Sequence, residues 1–242
     1  MTARCIEMKF DNVERLNQSL LATISNQLKQ DIQQNKQACL LVSGGSTPKR
    51  LYQSLSQYSL HWNNVSIAMV DERWVDIDHP KSNQAFIEQT LVNDKAAEAH
   101  FYPMIDASKS VKQQNIQDAV SKINQAYSRL PKNPICILGM GSDGHTASFF
   151  PHAKGLDHAL NSKNTYCCAI QASQSETTGE QTQRLTITLD YLQSCQAVYL
   201  LITGQQKWEV YQKALACTEV STMPVSAVLN QKKTPVFVYW CP

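Results

Sequence analysis

Five stretches of this chain are built on apolar runs: "ACLLVS" (38–43), "VSIAMVDE" (65–72), "PICILGMG" (134–141), "AVYLLIT" (197–203) and "PVFVYW" (235–240). A strand that alternates apolar and polar residues needs cover on one face. A strand that is apolar at every position needs cover on both, which is the condition of a parallel sheet inside an α/β fold. Helical patterns fall between these runs. Leu16, Leu20, Leu21, Ile24 and Leu28 recur at helical spacing within 13–36. Further helices are predicted over 48–55, with Thr47 as N-cap and Pro48 as first helical residue, and over 82–92, 111–130, 205–216 and 225–230. "YCCAI" (166–170) and "RLTIT" (184–188) read as shorter strands, and polar 172–183 as a surface loop. The alternation predicts an α/β fold, a mainly parallel sheet between helical layers. No repeat or low-complexity linker divides residues 1–242, so they read as a single domain.

With 22 Lys+Arg against 20 Asp+Glu, the formal charge is +2 and no basic stripe stands out. That argues against nucleic acid as a partner. It leaves an anionic small molecule open, because two or three basic side chains suffice to hold a phosphate. No apolar run approaches the ~20 residues that cross a bilayer. Eight cysteines occur without a C-x-x-C pair and without a secretory leader, and Cys39 and Cys136 lie in strand runs. Free thiols in a reducing compartment follow, hence a soluble cytoplasmic protein. The histidines and cysteines show no metal-ligand spacing.

Ligands of open α/β sheets bind beyond the carboxyl ends of the strands. Six of the eight glycines stand there. S-G-G-S-T-P (43–48) reads either as an anion cradle at a helix start or as an ordinary capped turn. It lacks the lysine of a P-loop. G-M-G-S-D-G (139–144) matches the spacing of a dinucleotide turn, but such a turn needs a long helix and an acid ~20 residues on. Pro151 follows His145 by six residues, and "YCCAI" ends at Gln171, so the nucleotide reading fails. What remains is a turn that presents Asp143 and His145 at the sheet edge, where an imidazole serves as general base. His61, His79, His100, His152 and His158 read as structural or exposed. Asp71, beside Glu72 and Arg73, reads as an ion pair or cap, or as an orienting carboxylate. Spacing alone does not single out Arg184 or Lys207.

Taken together, S-G-G-S-T-P (43–48), D-E-R-W-V (71–75) with S-N (82–83), L-G-M-G-S-D-G-H-T-A-S-F-F-P (138–151), R-L-T-I-T (184–188) and G-Q-Q-K (204–207) resemble the 6-phosphogluconolactonase family, in the family's order and over nearly the whole chain. The resemblance implies a three-layer α/β/α sandwich with a Rossmann-like sheet. It implies hydrolysis of 6-phospho-D-glucono-1,5-lactone to 6-phosphogluconate in the oxidative pentose phosphate pathway. No cofactor, metal or obligate protein partner is implied. Residue by residue, His145 matches the general base and Asp71 an acid of the same pocket. Arg73, Arg184 and Lys207 match residues that hold the substrate phosphate, and Gly44, Gly45 and Ser46 match the phosphate turn. Either Asp71 or Asp143 is left to orient His145, and either arginine to dominate the phosphate. The related glucosamine-6-phosphate deaminase/isomerase carries D-G-H-x-A-x-N-E-P, with a proton-transferring Glu before the Pro. Phe150 stands there in this chain and transfers no proton. A non-catalytic sugar-phosphate-binding module would normally carry a DNA-binding segment, and the first 36 residues read as one plain helix.

Overall fold

The computed structural model describes residues 5–242. The chain opens with strand β1 (Cys5–Lys9) and helix α1 (Val13–Asn35). Asn12 caps α1 by accepting the Arg15 N–H, and Lys36 ends it in the left-handed conformation that closes many helices. Leu16, Leu20, Ile24, Leu28 and Ile32 form its buried stripe. There follow β2 (Ala38–Val42), α2 (Lys49–Ser56), β3 (Val65–Met69), β4 (Asp71–Arg73), α3 (Asn83–Thr90), β5 (His100–Tyr102), α4 (Ile116–Tyr127) and β6 (Ile135–Leu138). The remainder is α5 (Leu156–Asn161), β7 (Cys167–Gln171), β8 (Gln183–Ile187), α6 (Leu189–Leu192), β9 (Ala197–Thr203), α7 (Gln205–Ala216), α8 (Val225–Leu229) and β10 (Val236–Cys241).

Seven strands make a wholly parallel sheet in the order β1-β10-β9-β6-β2-β3-β5. Every residue of β2, β3 and β6 is buried, as strands covered on both faces must be. Helices α1 and α2 pack on each other, with α1 against β2 and β10, and α7 packs on α8 and β9. The order reverses between β2 and β6. From β2 the chain builds outward through β3 and β5, and from β6 outward through β9 and β10. Val42 lies level with Met69 and Ile137, and Leu138 with Leu200. The loops after β2, β3, β6 and β9 therefore open on one edge, around a topological switch point.

Several expectations need correction. Residues 65–72 are not one strand: at Val70 the chain leaves the main sheet, and β4 pairs antiparallel with β8, which pairs antiparallel with β7. The first 36 residues are not one helix, since β1 precedes α1 and pairs with β10. Helix α2 starts at Lys49, with Pro48 at the cap position. The 111–130 pattern yields α4 after a separate 3-10 turn at Val111–Gln113. Strand β5 and helices α5 and α6 were not expected. No helix among the described residues is long and apolar enough to cross a membrane. The eight cysteines are free thiols, six of them buried.

Candidate active site

The loops at the switch point enclose a cleft of about 250 Å³. Its first wall is the turn after β6. Gly141 N–H donates to His145 O (2.9 Å), and Gly144 N–H donates back to Gly141 O (3.2 Å). Gly144 adopts φ 79°, which disfavours a side chain. A Cβ on Gly141 would lie 2.2 Å from the His145 ring, so the turn closes only on glycine. Folded this way, Asp143 Oδ1 receives the His145 backbone N–H at 3.1 Å and faces ring Nδ1 at 2.5 Å. Thr177, from the loop between β7 and β8, donates its hydroxyl to Asp143 Oδ2 at 2.7 Å.

Partial burial works against the Asp143 charge. The His145 hydrogen bonds, the imidazole charge and Thr177 outweigh it and hold the carboxyl at about 2. An ionised carboxylate only accepts, so Nδ1 carries a ring proton, and it is the neutral form of this imidazole that leaves the Nε2 lone pair free. The ring stacks on buried Phe150, with centroids 4.4 Å apart.

The second wall comes from β4 and α3. Asp71 Oδ2 accepts the Ser148 hydroxyl (2.7 Å), and Asn83 Nδ2 donates to Asp71 O (3.0 Å) and Oδ1 (3.3 Å). Of the two acids, Asp143 thus meets the imidazole and Asp71 does not. Glu72 is fully buried beneath this wall. It accepts the N–H groups of Arg73 (2.6 Å), Asn83 (2.8 Å) and Gln84 (2.7 Å) and the Ser82 hydroxyl (3.2 Å). Burial pushes its pKa up to about 7 against the pull of the backbone donors. The carboxylate sits on the first turn of α3, whose free N–H groups it satisfies. Asn83 and Arg73 are fixed as a result, with Arg73 Nη1 donating to Lys81 O and Asn83 Oδ1.

The floor is Ser43–Pro48. Gly44 presses against Asn83, since a Cβ there would sit 1.9 Å from Asn83 Oδ1. Gly45 has φ 97°. Among the described residues, no protein group accepts from the N–H of Gly45, Ser46 or Thr47 at the start of α2. Ser43 Oγ and Arg73 Nε are buried in this region without a hydrogen-bond partner. Lys207, on the first turn of α7, faces the cleft, and burial depresses its pKa. Free donors and an ammonium stripped of water together favour an anion.

The cleft gathers Gly44, Gly45, Ser46, Asp71, Arg73, His145 and Lys207 in its lining, with Asp143 behind the imidazole. Arg184 stands apart. It lies outside that lining, 3% exposed, with Nε on Gln181 O (2.6 Å) and Nη2 on Thr178 O (2.8 Å). Burial first, and then Arg73 across the β4–β8 ladder, lower its pKa to about 10. Sequence reasoning gave no role to Asn83, Ser148 or Thr177. The first two stood inside quoted motifs, and nothing local marked Thr177. Among the described residues, no group of three His, Cys, Asp or Glu side chains is placed to hold a metal ion.

Residues 11–238 match the family described as glucosamine-6-phosphate isomerases/6-phosphogluconolactonase. The 6-phosphogluconolactonase of Rhizobium meliloti (strain 1021) is 36% identical over 96% of this chain and 97% of its own. That of Xylella fastidiosa (strain 9a5c) is 33% identical over 99% and 97%. The crystal structure of a 6-phosphogluconolactonase from Shewanella baltica OS155 superposes with a TM-score of 0.90 at 33% identity, covering 100% of both chains. This chain belongs to the glucosamine-6-phosphate isomerase/6-phosphogluconolactonase family.

Proposed function

We propose that this chain is a 6-phosphogluconolactonase, hydrolysing 6-phospho-D-glucono-1,5-lactone to 6-phospho-D-gluconate in the oxidative pentose phosphate pathway. One observation carries the reading. His145, held by Asp143 through Nδ1, lines the same cleft as a set of backbone and ammonium donors suited to an anion. The nature of the homologues supports it, and so does Phe150. A deaminase of this family needs a proton carrier where Phe150 instead stacks on the imidazole.

The phosphate is assigned to the Gly44–Gly45–Ser46 turn, Lys207 and Arg73. Holding the remote end of the substrate turns binding energy into orientation at C1. His145 Nε2 removes a proton from water as its oxygen bonds to C1. Asp143 stabilises the imidazolium that forms. Collapse of the tetrahedral adduct breaks the C1–ring oxygen bond, and the imidazolium returns its proton to that oxygen. Asp71, held by Ser148 and Asn83, is assigned to a sugar hydroxyl. The free thiols support a place in the reducing cytoplasm.

The test generates the lactone in situ from glucose 6-phosphate and reads product with 6-phosphogluconate dehydrogenase, subtracting spontaneous hydrolysis. Purified protein accelerates the reaction, and His145→Asn lowers turnover by ~10²–10⁴-fold while phosphate affinity changes less. No acceleration by the wild-type protein would reject the reading and direct attention to ammonia release from glucosamine 6-phosphate.

A further inference from the structure

Arg184 and Thr177 are the two features of this region that phosphate binding and proton transfer leave unexplained. Thr177 is exposed on the loop after β7, yet its hydroxyl reaches Asp143 Oδ2, the carboxylate oxygen that His145 does not use. The loop has internal order of its own. Thr178 N–H donates to Ser175 Oγ (3.1 Å), and Gly179 N–H to Ser175 O (2.8 Å). Arg184 holds it from below, spending two donors on the carbonyls of Thr178 and Gln181. The same guanidinium lies 5.2 Å from the ring centroid of Phe150, whose ring in turn stacks on His145. One buried cation therefore reaches the catalytic imidazole by two routes. The upper route runs through the loop, Thr177 and Asp143, and the lower route through Phe150.

We propose that Thr177 is a positioning residue, the third member of a Thr177–Asp143–His145 hydrogen-bonded chain, and that Arg184 is the post that fixes it. The proposal rests on His145 being the lactonase base. A carboxylate held through only one oxygen swings about its Cβ–Cγ bond and carries the imidazole with it. A donor on the second oxygen stops that rotation, so Nε2 keeps its aim at the attacking water. Arg184 suits the anchoring part because its planar fork serves two carbonyls and an aromatic face together, which a lysine does not.

The experiment compares wild type, Thr177→Val, Thr177→Ser and Arg184→Lys in the coupled assay, and records the downfield proton resonance of the His145 Nδ1–H. Valine keeps the shape of an exposed loop residue, so the fold is preserved. The expected result for Thr177→Val is a roughly tenfold loss in kcat with KM within about twofold, together with an upfield move of the Nδ1–H signal. Serine restores both, and Arg184→Lys moves both in the direction of valine. Unchanged kcat and an unmoved resonance in Thr177→Val overturn the proposal. So does a raised KM with normal kcat, which would make Thr177 a substrate contact. If the wild-type protein does not accelerate lactone hydrolysis, the functional reading falls and takes the catalytic part of the proposal with it. The resonance still decides whether the three-membered chain exists.

Discussion

Asp143 and Glu72 sit on opposite walls of one cleft, and each accepts at least three hydrogen bonds. Their protons nevertheless go opposite ways: the carboxyl of Asp143 is held down at about 2 and that of Glu72 pushed up to about 7. The number of donors does not explain this, since Glu72 has more. Their kind does. Asp143 is only half-buried and faces an imidazole that takes up positive charge. Glu72 is fully buried, accepts from neutral donors, three backbone N–H groups and a hydroxyl, and has the Asp71 carboxylate as a like-charged neighbour. Dipoles soften the loss of water but do not offset it, whereas a countercharge does. Under the proposed mechanism the first wall changes its charge during turnover. The second is built to stay still and hold Asn83 and Arg73 in place.

That division can be broken by substitution. The largest effect is expected from Asp143→Asn. An amide in place of the carboxylate no longer fixes the Nδ1–H tautomer, and kcat falls by ~10²–10³-fold. A stability loss in place of the catalytic one would show that the first wall is scaffold. Glu72→Ala should behave in reverse, orphaning the N–H groups at the start of α3 and costing about 2–4 kcal/mol in urea unfolding. Native stability in that variant would remove Glu72 from its supporting role. Gly44→Ala sharpens the contrast further. Its Cβ displaces Asn83, loosens Arg73 and raises KM about tenfold while kcat holds better. An unaltered KM would detach the second wall from binding.

The smallest effects are in the pH dependence of stability, and they have opposite signs. Glu72 has a raised folded pKa, so stability falls as pH rises from the ordinary 4.5 to about 7. Asp143 has a depressed one, so stability is lost as pH falls from the ordinary 3.8 to about 2. Urea midpoints across pH should lose the first slope in Glu72→Gln and the second in Asp143→Asn. Parallel curves for wild type and both variants would refute the assignment.

The sheet's centre was legible in the sequence because β2, β3, β6, β9 and β10 are apolar on both faces and need no partner to be recognised. Its margins were not. Strand β1 is half-exposed, with Ile6 42% exposed, and β5 has three residues, so neither carries a period long enough to read. The break at Val70 is likewise set by distant pairing. Val70 N–H bonds to Val42 and its carbonyl accepts from Ile187, and no local signal marks those partners. The same holds in the cleft. Glycines and D-G-H located the first wall because a tight turn writes its needs into adjacent residues. Ser148 and Thr177 became visible only when separations of 77 and 34 residues closed onto Asp71 and Asp143. Arg184 could be matched to a motif, but its burial behind the cleft follows from the antiparallel ladder with β4.

The pairing of β1 with β10 sets a timetable for synthesis. Cys5 leaves the ribosome well before its neighbour Val236, which lies roughly 230 residues later. At roughly 5–20 residues per second, the opening strand waits on the order of 10–45 s for the strand it must lie beside. Helix α1 can dock on β2 meanwhile, leaving the first strand tethered beside a vacant groove. When β10 emerges it enters between β9 and β1 and completes the sheet from within. The sheet thus closes on an insertion, and β1 waits for its place until β10 is made.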